Sequence, residues 1–208
     1  MKNIISFSLF GTKDIYWKGA LENIKLAQKI YPEYICRFYI DQNSPRHLKD
    51  SITGHNVEKI FMKNERGRSG SFWRFIASCD KNVDIFLSRD TDSRLSLRER
   101  QAVNDWLSSK KNFHIMRDHP RHTQPIIAGM WGCRNLIMRK LNFMDLIKNY
   151  RKKHKYGDDE YFLGNVIYPL VKDDCFEHSS CKTKHANKTH PFPSNKTNNE
   201  FVGKVIYI

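Results

Sequence analysis

The hydrophobic pattern switches repeatedly between two periods along the chain. Asn3–Leu9 is apolar and β-prone, and the spacing predicts a first strand. From Asp14 to Tyr31 the apolar residues Trp17, Ala20, Leu21, Ile24 and Tyr31 recur at helical intervals, and Pro32 closes the helix. Tyr34–Ile40 and Val57–Met62 predict two more strands, and a polar, glycine-bearing loop covers residues 63–70. A short aromatic helix is expected around Phe72-Trp73-Arg74-Phe75-Ile76, then a buried strand at Val83–Ser88. Ser96 and Glu99 form a capping box for a helix that runs to about Ser109. Phe113–Arg117 and Ala128–Gly132 read as further strands, and helices are expected at Asn135–Tyr150 and at Asp159–Tyr168, with Pro169 as the stop. From Lys172 the chain is expected to be irregular, with a β-prone end at Val205–Ile208. Alternation of this kind predicts an α/β domain with a mainly parallel central sheet flanked by helices. A single domain is expected over residues 1–208, its core about 3–171 and its tail, 172–208, folded over a cleft.

Composition narrows the class. Apolar residues are 39% of the 208 and aromatics 12%, a globular mix. No run of about 18 apolar residues exists, so no membrane span is expected. The five cysteines are an odd number, and Cys36, Cys79 and Cys133 lie in apolar segments, which fits a reducing, cytoplasmic setting better than a disulfide framework. On that expectation the two N-x-T sequons, at Asn187 and Asn195, carry no glycan. The net charge of +14 points to a phosphate-bearing partner: a nucleotide, an anionic surface or nucleic acid. Lys148, Arg151, Lys152, Lys153 and Lys155 concentrate part of it, as a solvated helix end or as an anion patch.

The chemistry gathers at Arg89-Asp90-Thr91-Asp92-Ser93-Arg94, directly after the buried strand Val83–Ser88. Ligands of such sheets sit beyond the carboxyl ends of the strands. In extended chain, residues i and i+2 point the same way, so Asp90 and Asp92 can meet one ion. Two hard carboxylates together with diphosphate oxygens suit Mg²⁺ or Mn²⁺. Taken alone, D-x-D is also an ordinary turn sequence.

Context adds to it. Phe86-Leu87-Ser88-Arg89-Asp90-Thr91-Asp92-Ser93-Arg94 resembles the metal-binding segment of GT-A-fold glycosyltransferases, among them the compact enzymes of large DNA viruses, including chlorella viruses, and of bacterial polysaccharide loci. Ser6-Phe7-Ser8-Leu9-Phe10-Gly11 with Tyr16 is similar to their nucleotide-binding first strand and loop, and Phe72-Trp73-Arg74-Phe75 to a helix facing the diphosphate. Ala128-Gly129-Met130-Trp131-Gly132 resembles a sugar-side strand, Tyr156–Leu163 a segment that usually reads Asp-Gln where this chain has Asp159-Glu160, and Glu200-Phe201-Val202-Gly203 a tail motif. The resemblance implies a GT-A domain that moves a sugar from a nucleotide-diphosphate donor, UDP-sugar favoured, to a glycan or other hydroxyl. It implies nucleotide contacts from Ser8, Leu9, Tyr16, Arg74, Arg89, Asp90 and Thr91, sugar or acceptor contacts from Gly129, Met130 and Trp131, and a divalent cation on Asp90, Asp92 and His178; His119 is a further sugar or acceptor candidate from its place at a strand end. If the source is viral, the setting is the host cytoplasm.

The catalytic carboxylate is expected at Asp159, with Asp158 second; the competing role for both is to cap a helix. No evident base beside the acceptor strand stands out, which leans towards retention of configuration. Asp118-His119, at the end of the strand Phe113–Arg117, can act as a base, touch a sugar or form a surface turn. The tail residues Cys175, His178, Cys181, His185 and His190 have ligand chemistry for zinc but lack a paired C-x-x-C. A nucleic-acid-binding protein or metal-dependent nuclease would also use +14 and an acidic pair. Against it, no third and fourth carboxylate complete a two-metal cluster and no aromatics interleave the basic run, so nucleic acid is the less expected partner.

Overall fold

The computed structural model describes residues 1–63, 69–150, 155–185, 188–197 and 199–207. Arg151, Lys152, Lys153 and the Asn187 sequon therefore lie outside the described residues.

Seven strands form one sheet in the order β3-β2-β1-β4-β6-β5-β7. They are β1 (Lys2–Leu9), β2 (Tyr34–Asp41), β3 (Val57–Met62), β4 (Val83–Ser88), β5 (Phe113–Arg117), β6 (Trp131–Arg134) and β7 (Cys175–Ser179). β6 runs antiparallel to both neighbours, and the other pairs are parallel. Between the strands lie α1 (Asp14–Ile30), α2 (Arg46–Ser51), α3 (Leu97–Ser108), α4 (Asn135–Lys140), α5 (Phe143–Asn149), α6 (Asp158–Phe162) and α7 (Tyr168–Val171), with a 3₁₀ helix at Ser69–Cys79.

Both faces of the central strands are covered, so consecutive residues enter different cores. Ile4 and Phe86 join Phe72, Phe75, Phe113, Trp131 and Phe162 on one side. Ile5 and Leu87 join Trp17, Ala20, Ile24, Phe38 and Trp106 on the other. This is why β1 and β4 are apolar without alternation. The chain winds from β1 outward to β3 and then returns to place β4 on the other side of β1. That reversal opens a crevice beyond the carboxyl ends of β1 and β4, where open α/β sheets hold ligands.

Several elements differ from their sequence-based expectation. The helix expected at 135–150 is two, because Asn142 takes a left-handed conformation (φ 51°) that asparagine tolerates. Pro169 does not stop the last helix. The helical run continues from α6 through a π turn at Leu163–Ile167 into α7, with Pro169 near the start of α7. The strand expected at Ala128–Gly132 starts at Trp131, after a turn closed by Met130 N–H to Ile127 O. The tail is not irregular throughout, since Cys175–Ser179 supplies the edge strand β7 and extends the core beyond Val171. The β-prone end forms no strand over Val205–Tyr207; the Ile206 amide instead donates to Asp92 O at 2.9 Å. Among the described residues no helix is long and apolar enough to cross a membrane.

Candidate active site

A cleft of about 450 Å³ lies at the switch point. Its lining comes from the loop after β1 (Gly11, Lys13), the first turn of α1 (Tyr16), the loop after β4 (Asp90, Thr91, Asp92), the 3₁₀ helix (Ser71, Arg74), the turn before β6 (Ile127, Ala128), the start of α6 (Asp159, Glu160) and the tail (Gly203, Val205).

The loop after β4 is fixed from behind. Asn23, buried on α1, donates to Ser93 O at 2.9 Å and accepts from Leu95 N–H at 3.0 Å. Arg94 donates to Thr91 O (3.3 Å) and Ser93 O (2.9 Å), and the Ser93 hydroxyl to Asp90 O (3.1 Å). Gly19 lets α1 approach: a Cβ there would stand 2.0 Å from Thr91 O. Gly129 does the same on the cleft side, where a Cβ would lie 2.0 Å from Asp90 Oδ2. A loop held by backbone bonds on one side presents its two carboxylates to the other.

Arg74 is the centre of the cleft's electrostatics. One guanidinium nitrogen contacts Asp90 Oδ1 and the other donates to Asp159 Oδ2 at 2.7 Å. Asp159 Oδ1 accepts the Glu160 amide at 3.1 Å, so this carboxylate also caps the start of α6. Gly157, at φ +78°, turns the chain into that helix. Burial, with Asp90 beside it, pushes Asp92 up to about 6. Burial also pushes Glu160 up to about 7, with Asp159 and Asp90 adding to it and the Ala128 amide (3.4 Å) opposing. Burial is the main cause in both, and a bound cation would favour their charged forms.

No protein-family model matches the chain, and no curated protein matches it by sequence. Solved structures do. A glycosyltransferase involved in the glycosylation of the major capsid of PBCV-1 superposes with a TM-score of 0.54 at 14% identity, over 85% of this chain and 81% of that one. The galactosyltransferase LgtC, solved with donor and acceptor sugar analogues, gives 0.55 at 14% identity, over 86% and 73%. The chain has the GT-A fold. A 4-diphosphocytidyl-2C-methyl-D-erythritol synthase from Anaerococcus prevotii shares it as well, with a TM-score of 0.56 at 10% identity, over 86% and 87%. The GT-A fold thus houses more than one chemistry, and the residues of the cleft must specify which.

Of the residues expected at the site, Ser8, Tyr16, Arg74, Asp90, Thr91, Asp92 and Asp159 line this GT-A cleft. Others do not. Leu9 and Trp131 are core residues, and Met130 packs under Gly203. Gly129 serves by making room for Asp90. Arg89 is buried against Glu99 (2.6 Å) and donates to Ser88 O and Trp131 O, so it braces the end of β4 and does not line the cleft. That contact also breaks the expected capping box: the Ser96 hydroxyl accepts the Glu99 amide at 3.2 Å, but the Glu99 carboxylate turns to Arg89 and Tyr31. Asp158 points away and accepts from Tyr150 OH at 3.0 Å. His119 stacks on Phe201, ring centroids 4.3 Å apart.

His178 is the largest displacement from expectation. It is fully buried on β7, its Nδ1 2.9 Å from His114 Nε2 and its Nε2 3.1 Å from Asp105 Oδ2, outside the cleft lining. Both ring nitrogens are thus engaged, and it does not join Asp90 and Asp92. The remaining tail ligands disperse too: His185 pairs with Thr123 O and His190 stacks on Phe176. Among the described residues no group of three or more His, Cys, Asp or Glu converges on a metal position. Lys13, Ser71, Lys155 and Val205 were not foreseen as site residues. Lys155 was legible as the end of the basic run, and it reaches the cleft; Lys13 had only its place after Gly11 as a signal.

Proposed function

We propose that the chain is a metal-dependent glycosyltransferase that transfers a sugar from a nucleotide-diphosphate donor, UDP-sugar favoured, to a hydroxyl of a glycan or related acceptor. The observation that carries this is the pairing of Asp90 and Asp92 with the Arg74–Asp159 contact in one cleft at the switch point. Asp90 and Asp92, with no third protein ligand converging on them among the described residues, would hold a cation that binds together with a diphosphate. Mn²⁺ or Mg²⁺ bound there would supply Lewis-acid neutralisation of the leaving diphosphate. Tyr16 gives the nucleoside base a ring to stack on. Lys13 and Lys155 add positive charge for phosphate along the cleft.

Asp159 lies beside Arg74 in the first turn of α6, where its carboxylate can stabilise the oxocarbenium-like transition state. Glu160, pushed up to about 7 chiefly by burial, stands beside it as the group able to give or take a proton. The five free cysteines, with Cys36 and Cys133 buried, go with a reducing, cytoplasmic setting.

Titration of the protein with UDP, GDP and dTDP, each with and without Mn²⁺, tests the donor. UDP is expected to bind most tightly and only with Mn²⁺, and Asp92→Ala is expected to lose that binding while remaining folded. Unchanged Mn²⁺–UDP affinity in folded Asp92→Ala protein would remove the metal assignment. Release of UDP from a UDP-sugar on addition of acceptor then tests the reaction.

A further inference from the structure

Resting on the assignment of a cation to Asp90 and Asp92, we propose that Arg74 is the cation's internal competitor for Asp90, so that cation and diphosphate enter the cleft as a coupled pair.

The root of Arg74 is fixed. Its amide donates to the Ser8 hydroxyl at 2.9 Å, and its carbonyl accepts from the Ser6 hydroxyl at 2.6 Å. Both serines belong to β1, so the middle of the 3₁₀ helix is tied to the sheet. The side chain is only 8% exposed, and its two terminal nitrogens are divided between Asp90 and Asp159. The guanidinium therefore occupies one oxygen of Asp90 and leaves that residue less than its full capacity to ligate. Arginine cannot yield the carboxylate by losing a proton. It can yield only by exchanging one anion for another.

A diphosphate supplies that exchange. Guanidinium forks match phosphate oxygens as well as carboxylate oxygens. Arg74 Nε is moreover a buried donor with no hydrogen-bond partner among the described residues, so the head keeps unused donor capacity. An arriving diphosphate draws the fork from Asp90, and Asp90 then turns its oxygen to the cation. Conversely, a cation arriving alone must displace a buried charge-assisted contact. A diphosphate arriving alone meets Asp90, Asp92 and Asp159 with too little positive charge. Each ligand thus raises the affinity of the other, as linkage requires.

Mn²⁺ binding followed by electron paramagnetic resonance of the free ion, with and without UDP, tests this on wild type, Arg74→Met and Arg74→Lys. Without nucleotide, Arg74→Met is expected to bind Mn²⁺ about tenfold more tightly than wild type, and the factor by which UDP tightens Mn²⁺ is expected to shrink about as much. Arg74→Lys, whose single ammonium cannot span Asp90 and Asp159 as a fork does, should lie between them. It decides the matter if Arg74→Met does not fold. Nucleotide-free Mn²⁺ affinity equal to or weaker than wild type in the folded variant overturns the proposal. Asp92→Asn separates the two levels. If it removes Mn²⁺ binding while Arg74→Met fails to tighten it, only the competition is wrong; if it leaves Mn²⁺ binding intact, the metal assignment falls as well.

Discussion

Two clusters of buried charge sit on the same sheet and differ in one respect. At the β5–β7 edge Arg117, Glu177 and Asp118 are answered from within the protein. Arg117 donates to Glu177 at 2.7 Å and to the carbonyls of Gln124 and Pro125, and Tyr168 closes the other oxygen of Glu177 at 3.1 Å. Asp118 takes Arg98 with both oxygens and the Val202 amide with one; burial pushes its pKa up, but these donors more than offset it and leave it below the usual value. In the cleft the balance is left open. Asp92 and Glu160 are raised to about 6 and about 7, chiefly by burial, and Arg74 keeps an unused donor. A closed cluster holds elements together, whereas an open one has room for a ligand's charge. The comparison explains why His178 and Asp118-His119 looked chemical in sequence and are structural in the fold.

Substitutions should separate the clusters by what they damage. The largest effect is expected from Asp92→Asn, with sugar transfer down about a thousandfold through loss of cation-assisted charge stabilisation and no loss of melting temperature. Glu177→Ala should do the reverse. It strands Arg117 in the interior and is expected to cost about 3 kcal/mol in chemical denaturation, with turnover of the folded protein within a few fold of wild type. A large turnover defect in folded Glu177→Ala would blur the distinction. Asp159→Asn keeps a capping side chain, so stability and donor binding should hold while turnover falls about a hundredfold. Turnover within a few fold of wild type would reduce Asp159 to a cap.

The smallest expected effect is on stability against pH. Glu160 has a folded pKa of about 7 against an ordinary 4.5, so the folded state retains a proton that the unfolded chain releases. Its contribution is fully present below about pH 4.5 and is lost as pH rises through about 7. Glu160→Gln should therefore melt higher than wild type at pH 8, by a few degrees, and show less difference at pH 5. An equal offset at both values would place the Glu160 proton outside this scheme.

The elements marked by a continuous apolar run or a helical period were legible in the sequence: β1, α1, β2 and β4 lie within a residue or two of their expected bounds. So was the position of the acidic pair, because the turn after a buried strand of an open α/β sheet lies where such sheets hold ligands. What was not legible depended on contacts distant in sequence. The edge strand at Cys175–Ser179 is too mixed in polarity to stand out and forms by pairing with β5. Whether Arg89 or Arg74 faces the cleft is settled by Glu99, which draws Arg89 inward, and by Ser6 and Ser8, which hold Arg74 at the mouth of β1. No local pattern encodes that choice. The tail's passage beside the cleft is likewise fixed at a distance, by Asp118 on Val202 and by Asp92 on Ile206.

The central claim is that the open cluster takes a divalent cation together with a nucleotide diphosphate. Crystals soaked with Mn²⁺ and UDP, measured for the anomalous signal of manganese, test it most directly. The account predicts one anomalous peak within ligand distance of Asp90 and Asp92, bridged to the UDP diphosphate, with Arg74 turned from Asp90 to a phosphate oxygen. UDP bound in the cleft with manganese absent from that position, or manganese at His178 or the tail cysteines, would contradict it.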